Sequence, residues 1–125
     1  IVSFEQALAA FGQVKKSQRN EAITISNMGM IYQQLGRDRA AIDSLDRARA
    51  VLSRADGDTT VEDLELTIPL CVSLLRLGHT PRAQAELHAM TVALGRIEGA
   101  ETSLSKIYDD VARLERAVSR ASEAS

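Results

Sequence analysis

The stretch YQQLGRDRAAIDSL, residues 32–45, recurs in altered form as LLRLGHTPRAQAEL, residues 74–87. In both stretches a Leu-Gly pair is followed by Ala five residues after the glycine, and by Leu four residues later. Glycine commonly ends a helix because it adopts the left-handed conformation without strain. Each stretch therefore predicts a helix, a tight turn and a second helix. Gly36 and Gly78 lie 42 residues apart, which indicates an internal repeat.

Outside these two turns, apolar residues continue at helical spacing along nearly the whole chain. The pattern predicts six helices, mostly joined by short turns, and no segment has the alternation of a β-strand. The first helix should end in the polar stretch KKSQRN, residues 15–20. The other five are predicted at residues 21–35, 38–52, 60–77, 80–94 and from 103 to the end.

Several residues predict details of the helices. Asp38 is a good N-cap for the third helix, and Thr80 for the fifth, where Pro81 would take the first helical position. Pro69 lies inside the fourth helix, where proline costs about 3 kcal/mol. It predicts either a kink or a displacement of the first turns of that helix.

A small residue is expected where the two helices of a repeated unit cross closely. In the first unit Gly29 and Ala41 should meet at this crossing, with Tyr32 partly buried nearby. A larger side chain at such a position would overpack the crossing.

The composition fits one soluble domain of 125 residues. Hydrophobic residues make up 45% and charged residues 26%, so the chain can bury a substantial core. The net charge of -2 gives no electrostatic footprint for nucleic acid or an acidic membrane surface, and no apolar stretch approaches the roughly 20 residues of a membrane span. We expect no nucleic-acid or membrane partner and, by default, a cytoplasmic location. The chain begins at Ile1 rather than Met, so we expect it to be a piece of a longer protein.

Residues with catalytic chemistry are few. Cys71 lies in an apolar run and is predicted to be a buried, reduced thiol. His79 and His88 are nine residues apart with no ligand partner in register, so they are predicted to be surface residues. The sequence has no Gly-rich phosphate loop, metal-ligand spacing or paired catalytic groups. It therefore predicts no enzyme, no cofactor and no metal site.

The repeated unit resembles the tetratricopeptide repeat. Residues 22–55 match this family well, and residues 64–94 match it more loosely, with Cys71 where the family has a small Gly and Leu74 where it has Tyr. The 42-residue step and the run NMGMIY, residues 27–32, are similar to the longer-repeat branch seen in kinesin light chains. The matching residues of the first repeat are Met28, Gly29, Tyr32, Leu35, Gly36, Ala41, Leu45 and Ala48.

The resemblance implies an all-α fold in which antiparallel helix pairs stack into an α-solenoid with a concave face. The whole chain, residues 1–125, would form a single domain of this kind. Its implied parts are the second helix of a partial repeat (3–20), two repeats (21–55 and 61–97) and a terminal helix (103–125) that caps the array or forms a coiled coil.

The resemblance also implies a function. The first helices of the pairs line the concave face, where family members bind a segment of another protein. We therefore expect a non-catalytic scaffold with a protein or peptide partner. Asn27 is expected to hydrogen-bond the backbone of an extended peptide, because an amide both donates and accepts. The expected peptide-binding groove consists of Ile23, Asn27, Met30, Gln33, Gln34, Val72 and Arg76.

The terminal helix leaves two alternatives open. Its apolar residues alternate at spacings of three and four, and they are Leu104, Ile107, Val111, Leu114 and Val118. They either cap the helical array, as a repeat protein requires at its end, or pair with a second copy and form a homo-oligomer. A third alternative is that the chain is the regulatory part of a larger protein whose chemistry lies elsewhere.

Overall fold

The computed structural model describes residues 3–56, 61–96 and 101–124. The all-α expectation is confirmed, since these residues contain helices and turns but no strand. The prediction of six helices is wrong for the described part of the chain, which has five. They are α1 (Phe4–Gln34), α2 (Asp38–Asp56), α3 (Val61–Arg76), α4 (Thr80–Leu94) and α5 (Glu101–Ala124).

The first helix, α1, is continuous over 31 residues, where the sequence pattern predicts two helices. The polar stretch 15–20 contains neither Gly nor Pro, and Lys, Gln and Arg are good helix formers, so nothing there ends the helix. Ser3 starts α1 with a capping box, in which its hydroxyl accepts from the Gln6 N–H at 3.1 Å and its N–H donates to the Gln6 side chain at 3.0 Å. The predicted boundary between residues 3–20 and 21–55 therefore falls inside one helix.

The two glycine turns have the structure that the repeat predicts. Gly36 and Gly78 have φ values of +75° and +77°. In both turns the N–H of the following residue donates to the carbonyl five residues earlier, at 2.8 Å, and the glycine N–H donates three residues back, at 3.1 Å. This is the Schellman arrangement, which satisfies the last carbonyls of the first helix.

The helices after these turns begin at Asp38 and Thr80, but their N-caps lie one residue earlier than predicted. The carbonyls of Arg37 and His79 accept the first helical hydrogen bonds, at 3.0 and 3.1 Å. Asp38 and Thr80 are thus not N-caps but the first helical residues, and Pro81 is the second. The reason is that the residue after each glycine both closes the Schellman turn and starts the next helix. The predicted helix boundaries at residues 60 and 97 lie outside the described residues.

The helices pack in chain order. Each helix contacts the next, and α3 contacts α1 and α5 as well, whereas the described parts of α2 and α4 have no close backbone approach. The chain thus has one layer of α1, α3 and α5 and a second layer of α2 and α4.

Two apolar clusters fill the space between these layers. The smaller joins α1 to α2, through Ala22, Ile25, Ala48, Val51 and Leu52, with Leu66 of α3 packed against it. The larger is built from α2, α3, α4 and α5, and it contains Ile42, Leu45, Leu64, Leu70, Cys71, Leu74, Ala83, Leu87, Met90, Leu94, Ile107, Val111, Leu114 and Val118.

Gly29 lies at a close crossing of α1 and α2, where its nearest neighbours are Leu45 and Ser44. A Cβ atom at Gly29 would lie 3.0 Å from Cγ of Leu45 and 3.3 Å from Cβ of Ser44. Ala41 is fully buried one turn away, and Tyr32 is half-buried as predicted. The helices therefore cross with the glycine against a leucine.

Candidate functional site

The helices α1 and α3 are held together at one end by a polar cluster. The side-chain amide of Gln33 donates to the carbonyl of Pro69 at 2.7 Å and to the hydroxyl of Ser73 at 2.8 Å. Ser73 is fully buried, and its hydroxyl donates to the Asp38 carboxylate at 2.9 Å. Because buried polar groups are costly without partners, this cluster fixes the end of α1, the start of α2 and the middle of α3 relative to one another.

Pro69 does not end α3, which is helical from Val61 to Arg76. Proline has no N–H, so the Glu65 carbonyl lacks the donor that an α-helix normally supplies four residues later. Residues 65 and 69 are one turn apart and lie on nearly the same face of the helix. The Pro69 carbonyl on this face accepts the bond from Gln33. The proline thus leaves a carbonyl acceptor on the side of α3 that faces α1.

Beyond this contact a cleft of about 400 Å³ opens, with α1 and α3 as its walls and α2 contributing to its floor. Its apolar surface comes from Ala22 and Ile23 of α1, Leu52 of α2 and Leu66 of α3. Its polar lining consists of Lys16, Arg19, Asn20, Ser26 and Glu65.

The rim of the cleft carries charges of opposite sign on its two walls. Lys16 and Arg19 lie on the α1 wall, and Glu65 lies on the α3 wall. A molecule in the cleft would therefore meet basic groups on one side and an acidic group on the other. Such a rim orients a ligand that carries both kinds of charge.

The structure divides the predicted groove residues into two sets. Ile23 lines the cleft and is 55% exposed. Asn27, Met30 and Gln34 are exposed on α1 next to the cleft. These four side chains are accessible on one side of α1.

The other predicted groove residues contact the protein itself. Gln33 is bonded to Pro69 and Ser73, and Val72 is half-buried against the larger core. Arg76 donates to the Gln33 carbonyl at 3.4 Å and pairs with Asp38 at 3.5 Å. These three residues hold the helices together, and none of them lines the cleft.

Sequence reasoning missed the cleft residues Lys16, Asn20, Leu52 and Leu66. A signal for two of them was present. The predicted groove stripe on α1 continues at helical spacing from Ile23 back to Asn20 and Lys16 once α1 is recognised as one helix. Leu52 and Leu66 had no such signal, because their positions depend on how three helices pack.

The terminal helix α5 lies against the chain's own core. Ile107, Val111, Leu114 and Val118 are each no more than 7% exposed and belong to the larger cluster. Their burial within a single chain favours the cap over the assembly helix. The side chain of Leu104 lies outside the described residues.

One basic side chain of α2, Arg49, bonds to two other helices. In the sequence Arg49 belongs to a set of arginines with Arg47 and Arg54, which is typical of a solvated helix face. Instead it donates to Glu86 of α4 at 2.6 Å and to Thr67 of α3 at 3.2 Å. The bond to Glu86 joins the two helices of the second layer, and the bond to Thr67 connects them to the first layer. The sequence carried no local signal for either bond.

Cys71, His79 and His88 do not line the cleft. Cys71 is fully buried, as predicted, and burial raises the pKa of its thiol to about 11, so it is protonated at neutral pH. His79 and His88 are exposed. The described part of the chain has no group of three His, Cys, Asp or Glu residues that could hold a metal ion. No helix in that part is long and apolar enough to cross a membrane.

Comparisons with known proteins assign no family to the chain. No protein-family model, curated protein or solved structure matches the chain. The likeness to the tetratricopeptide repeat therefore rests on the residues of this chain alone.

Proposed function

We propose that the chain is a non-catalytic protein–protein interaction module of the tetratricopeptide type, whose stacked helix pairs hold a segment of a partner protein. The order of helix contacts supports this, because neighbouring helices pack together and α3 also contacts α1 and α5. The matching hydrogen bonds of the turns at Gly36 and Gly78 support two copies of one structural unit.

The cleft between α1 and α3 is the observation that carries the proposal. Its volume of about 400 Å³ is in the range of ligand-binding clefts. Its apolar floor, with Leu52 and Leu66, offers affinity through burial of an apolar group. Its charged rim, with Lys16 and Glu65, would orient a bound segment that carries both kinds of charge.

The chemistry of the cleft defines the kind of segment that it would bind. One or two large apolar side chains of the partner would lie on the floor, and an acidic residue would pair with Lys16. A basic residue or backbone N–H groups would meet Glu65 and its carbonyl. A purely acidic tail is disfavoured, because Glu65 would repel it.

The proposed binding surface is shifted along α1 from the groove predicted by the sequence. Gln33, Val72 and Arg76 are left out, since their contacts lie within the protein. Asn27 keeps its proposed role toward the partner backbone. The proposed surface of α1 is Lys16, Asn20, Ile23, Asn27, Met30 and Gln34.

The same proposal includes a cytoplasmic location and no cofactor, nucleic-acid or membrane partner. The near balance of 17 acidic and 15 basic residues supports the absence of a nucleic-acid or membrane partner, because neither sign dominates the surface field. The inert thiol of Cys71 supports a binding role rather than a catalytic one. A regulatory role within a larger protein would use the same surface.

A selection of random peptides displayed on phage, against the immobilised chain, tests this function. Selected peptides should share an apolar anchor next to an acidic residue. In calorimetric titrations, Ile23→Glu should weaken binding of the selected peptide about tenfold or more. Lys16→Glu should weaken peptide binding several-fold, because the new carboxylate would repel the acidic residue of the peptide.

The matched control is Val92→Glu, which places the same charge at an exposed apolar position of α4. It should leave the affinity unchanged. Affinity that is insensitive to both Ile23→Glu and Lys16→Glu would place binding elsewhere and refute the proposed site. A selection that yields no binding peptide would refute the peptide-binding function.

A further inference from the structure

The first part of α1 carries an apolar stripe that nothing in the described structure covers. Phe4, Leu8, Phe11 and Val14 are 78%, 55%, 68% and 53% exposed. Phe4, Ala7, Phe11 and Val14 alternate at spacings of three and four, which is the seam pattern of paired helices. Exposed apolar side chains in a continuous stripe mark an interaction surface more often than scattered ones do.

This stripe continues the face of α1 that α2 covers further along. Two pairs of residues show how the antiparallel helices α1 and α2 are aligned. Gly29 lies against Leu45, and Ala22 and Leu52 line the same cleft. In each pair the two residue numbers add to 74, so other facing positions can be read from the same sum. By this register Asp56, the last residue of α2, lies beside about residue 18 of α1. Residues 4–17 therefore project past α2 by roughly 21 Å.

We propose that this projecting segment pairs antiparallel, about a two-fold axis, with the same segment of a second copy of the chain. The proposal is independent of the proposed peptide-binding function, because Phe4 and Phe11 of the stripe lie on a different side of α1 from the proposed binding residues Lys16 and Ile23.

The side chains of the stripe suit an antiparallel pair. In one antiparallel alignment of the two copies, the numbers of facing residues add to 18. Phe4 then lies opposite Val14 of the second copy, and Phe11 lies opposite Ala7. Each phenylalanine then faces a smaller apolar side chain, which allows the two rows to interdigitate. In this two-fold arrangement one surface complements itself, as a symmetric dimer requires.

The length of the segment also suits this pairing. In the same register, Ser3 of the second copy reaches about residue 15 of the first. It stops short of Asp56, the last residue of α2, which lies beside about residue 18. The projecting length of α1 is thus about what a second copy covers.

The buried area sets the expected strength of the dimer. Covering the four exposed side chains on both copies buries on the order of 1,000 Å², at the low end for a specific complex. We therefore expect a reversible dimer that dissociates in the micromolar range or more weakly.

Sedimentation velocity of the chain, from low micromolar to millimolar concentration, tests the proposal. The wild type should shift from monomer to dimer with concentration. Phe11→Glu, a change at an exposed position, should keep the fold by circular dichroism and raise the dissociation constant about tenfold or more. Val92→Glu on α4 is the matched control and should dimerise like the wild type.

A wild type that stays monomeric throughout would overturn the proposal and leave the stripe to a different protein. A dimer that survives Phe4→Glu and Phe11→Glu together would overturn it as well, because the interface would lie elsewhere.

Disulfide cross-linking tests the antiparallel register. A mixture of Ala7→Cys and Phe11→Cys chains should form a mixed disulfide dimer under mild oxidation, because these positions face each other. Cys71 is fully buried and should not take part. Cross-links that form within each separate sample but not between the two would show a parallel pair and overturn the proposed register.

Discussion

The side-chain amide of Gln33 on α1 donates a 2.8 Å hydrogen bond to the hydroxyl of Ser73 on α3, 40 residues away in the sequence. The same amide bonds the Pro69 carbonyl. These contacts close one end of the space between the two helices, while the end near Ala22 stays open as the cleft. The shape of the proposed binding surface thus depends on one glutamine.

Gln33→Leu should lower the free energy of unfolding by about 1–3 kcal/mol, because it removes two hydrogen bonds and leaves the buried Ser73 hydroxyl with fewer partners. Urea denaturation measures the change. Gln34→Leu, at the exposed neighbouring position, is the control and should change stability by no more than about 0.5 kcal/mol. Equal effects of the two changes would contradict the role of Gln33.

Gly29→Ala and Gly12→Ala should have effects of opposite sign. A methyl group at Gly29 would meet Leu45, a fully buried residue, so overpacking should cost about 1–3 kcal/mol. Gly12 is exposed with nothing within 4 Å, so alanine there should stabilise α1 by about 0.5–1 kcal/mol. Thermal melting of the two variants decides the matter, and a stabilised Gly29→Ala would show that the crossing is looser than the structure has it.

Ile107→Asp and Leu114→Asp should each destabilise the monomer by about 3 kcal/mol or more, because they bury a charge in the larger core. Tyr108→Asp changes a neighbouring residue that is 51% exposed, and it should cost much less. Urea denaturation measures the stability of each variant, and sedimentation velocity measures its oligomeric state. Variants that keep full stability but lose a dimer would restore the interpretation of α5 as an assembly helix.

Stability should fall with rising pH because of Cys71. Burial raises the pKa of its thiol from 9.0 to about 11, so between these pH values the unfolded chain loses the proton while the folded chain keeps it. The free energy of unfolding should then decrease by about 2–3 kcal/mol over this range. Chemical denaturation across the range, with Cys71→Ala as control, isolates the thiol from other groups. An identical pH dependence in the two proteins would contradict the shift.

The parts of the fold that depend on local chemistry were predictable from the sequence. Gly36 and Gly78 need a left-handed conformation, and the residues around them are enough to define the turns. The burial of Cys71 followed from its apolar neighbours. The break expected within residues 15–20 was wrong because polar composition alone does not end a helix.

The site was less predictable, because it depends on the crossing of helices that are far apart in the sequence. Asn27 and Gln33 belong to the same predicted groove, but only the position of α3 decides that one is exposed and the other is bonded to Pro69. Likewise, nothing near Arg49 in the sequence indicates its contact with Glu86. Such pairings are properties of the assembled bundle.

Because α1 is unbroken, a tilt of the helix at one end would displace its other end by a larger distance. Ile23 lies 10 residues from Gln33, or about 15 Å along the helix axis, and Phe4 lies 29 residues away, or roughly 44 Å. If α1 turns as a stiff rod about the contact at Gln33, its tip moves about three times as far as the wall of the cleft. A tilt of this kind would displace Phe4 about three times as far as Ile23.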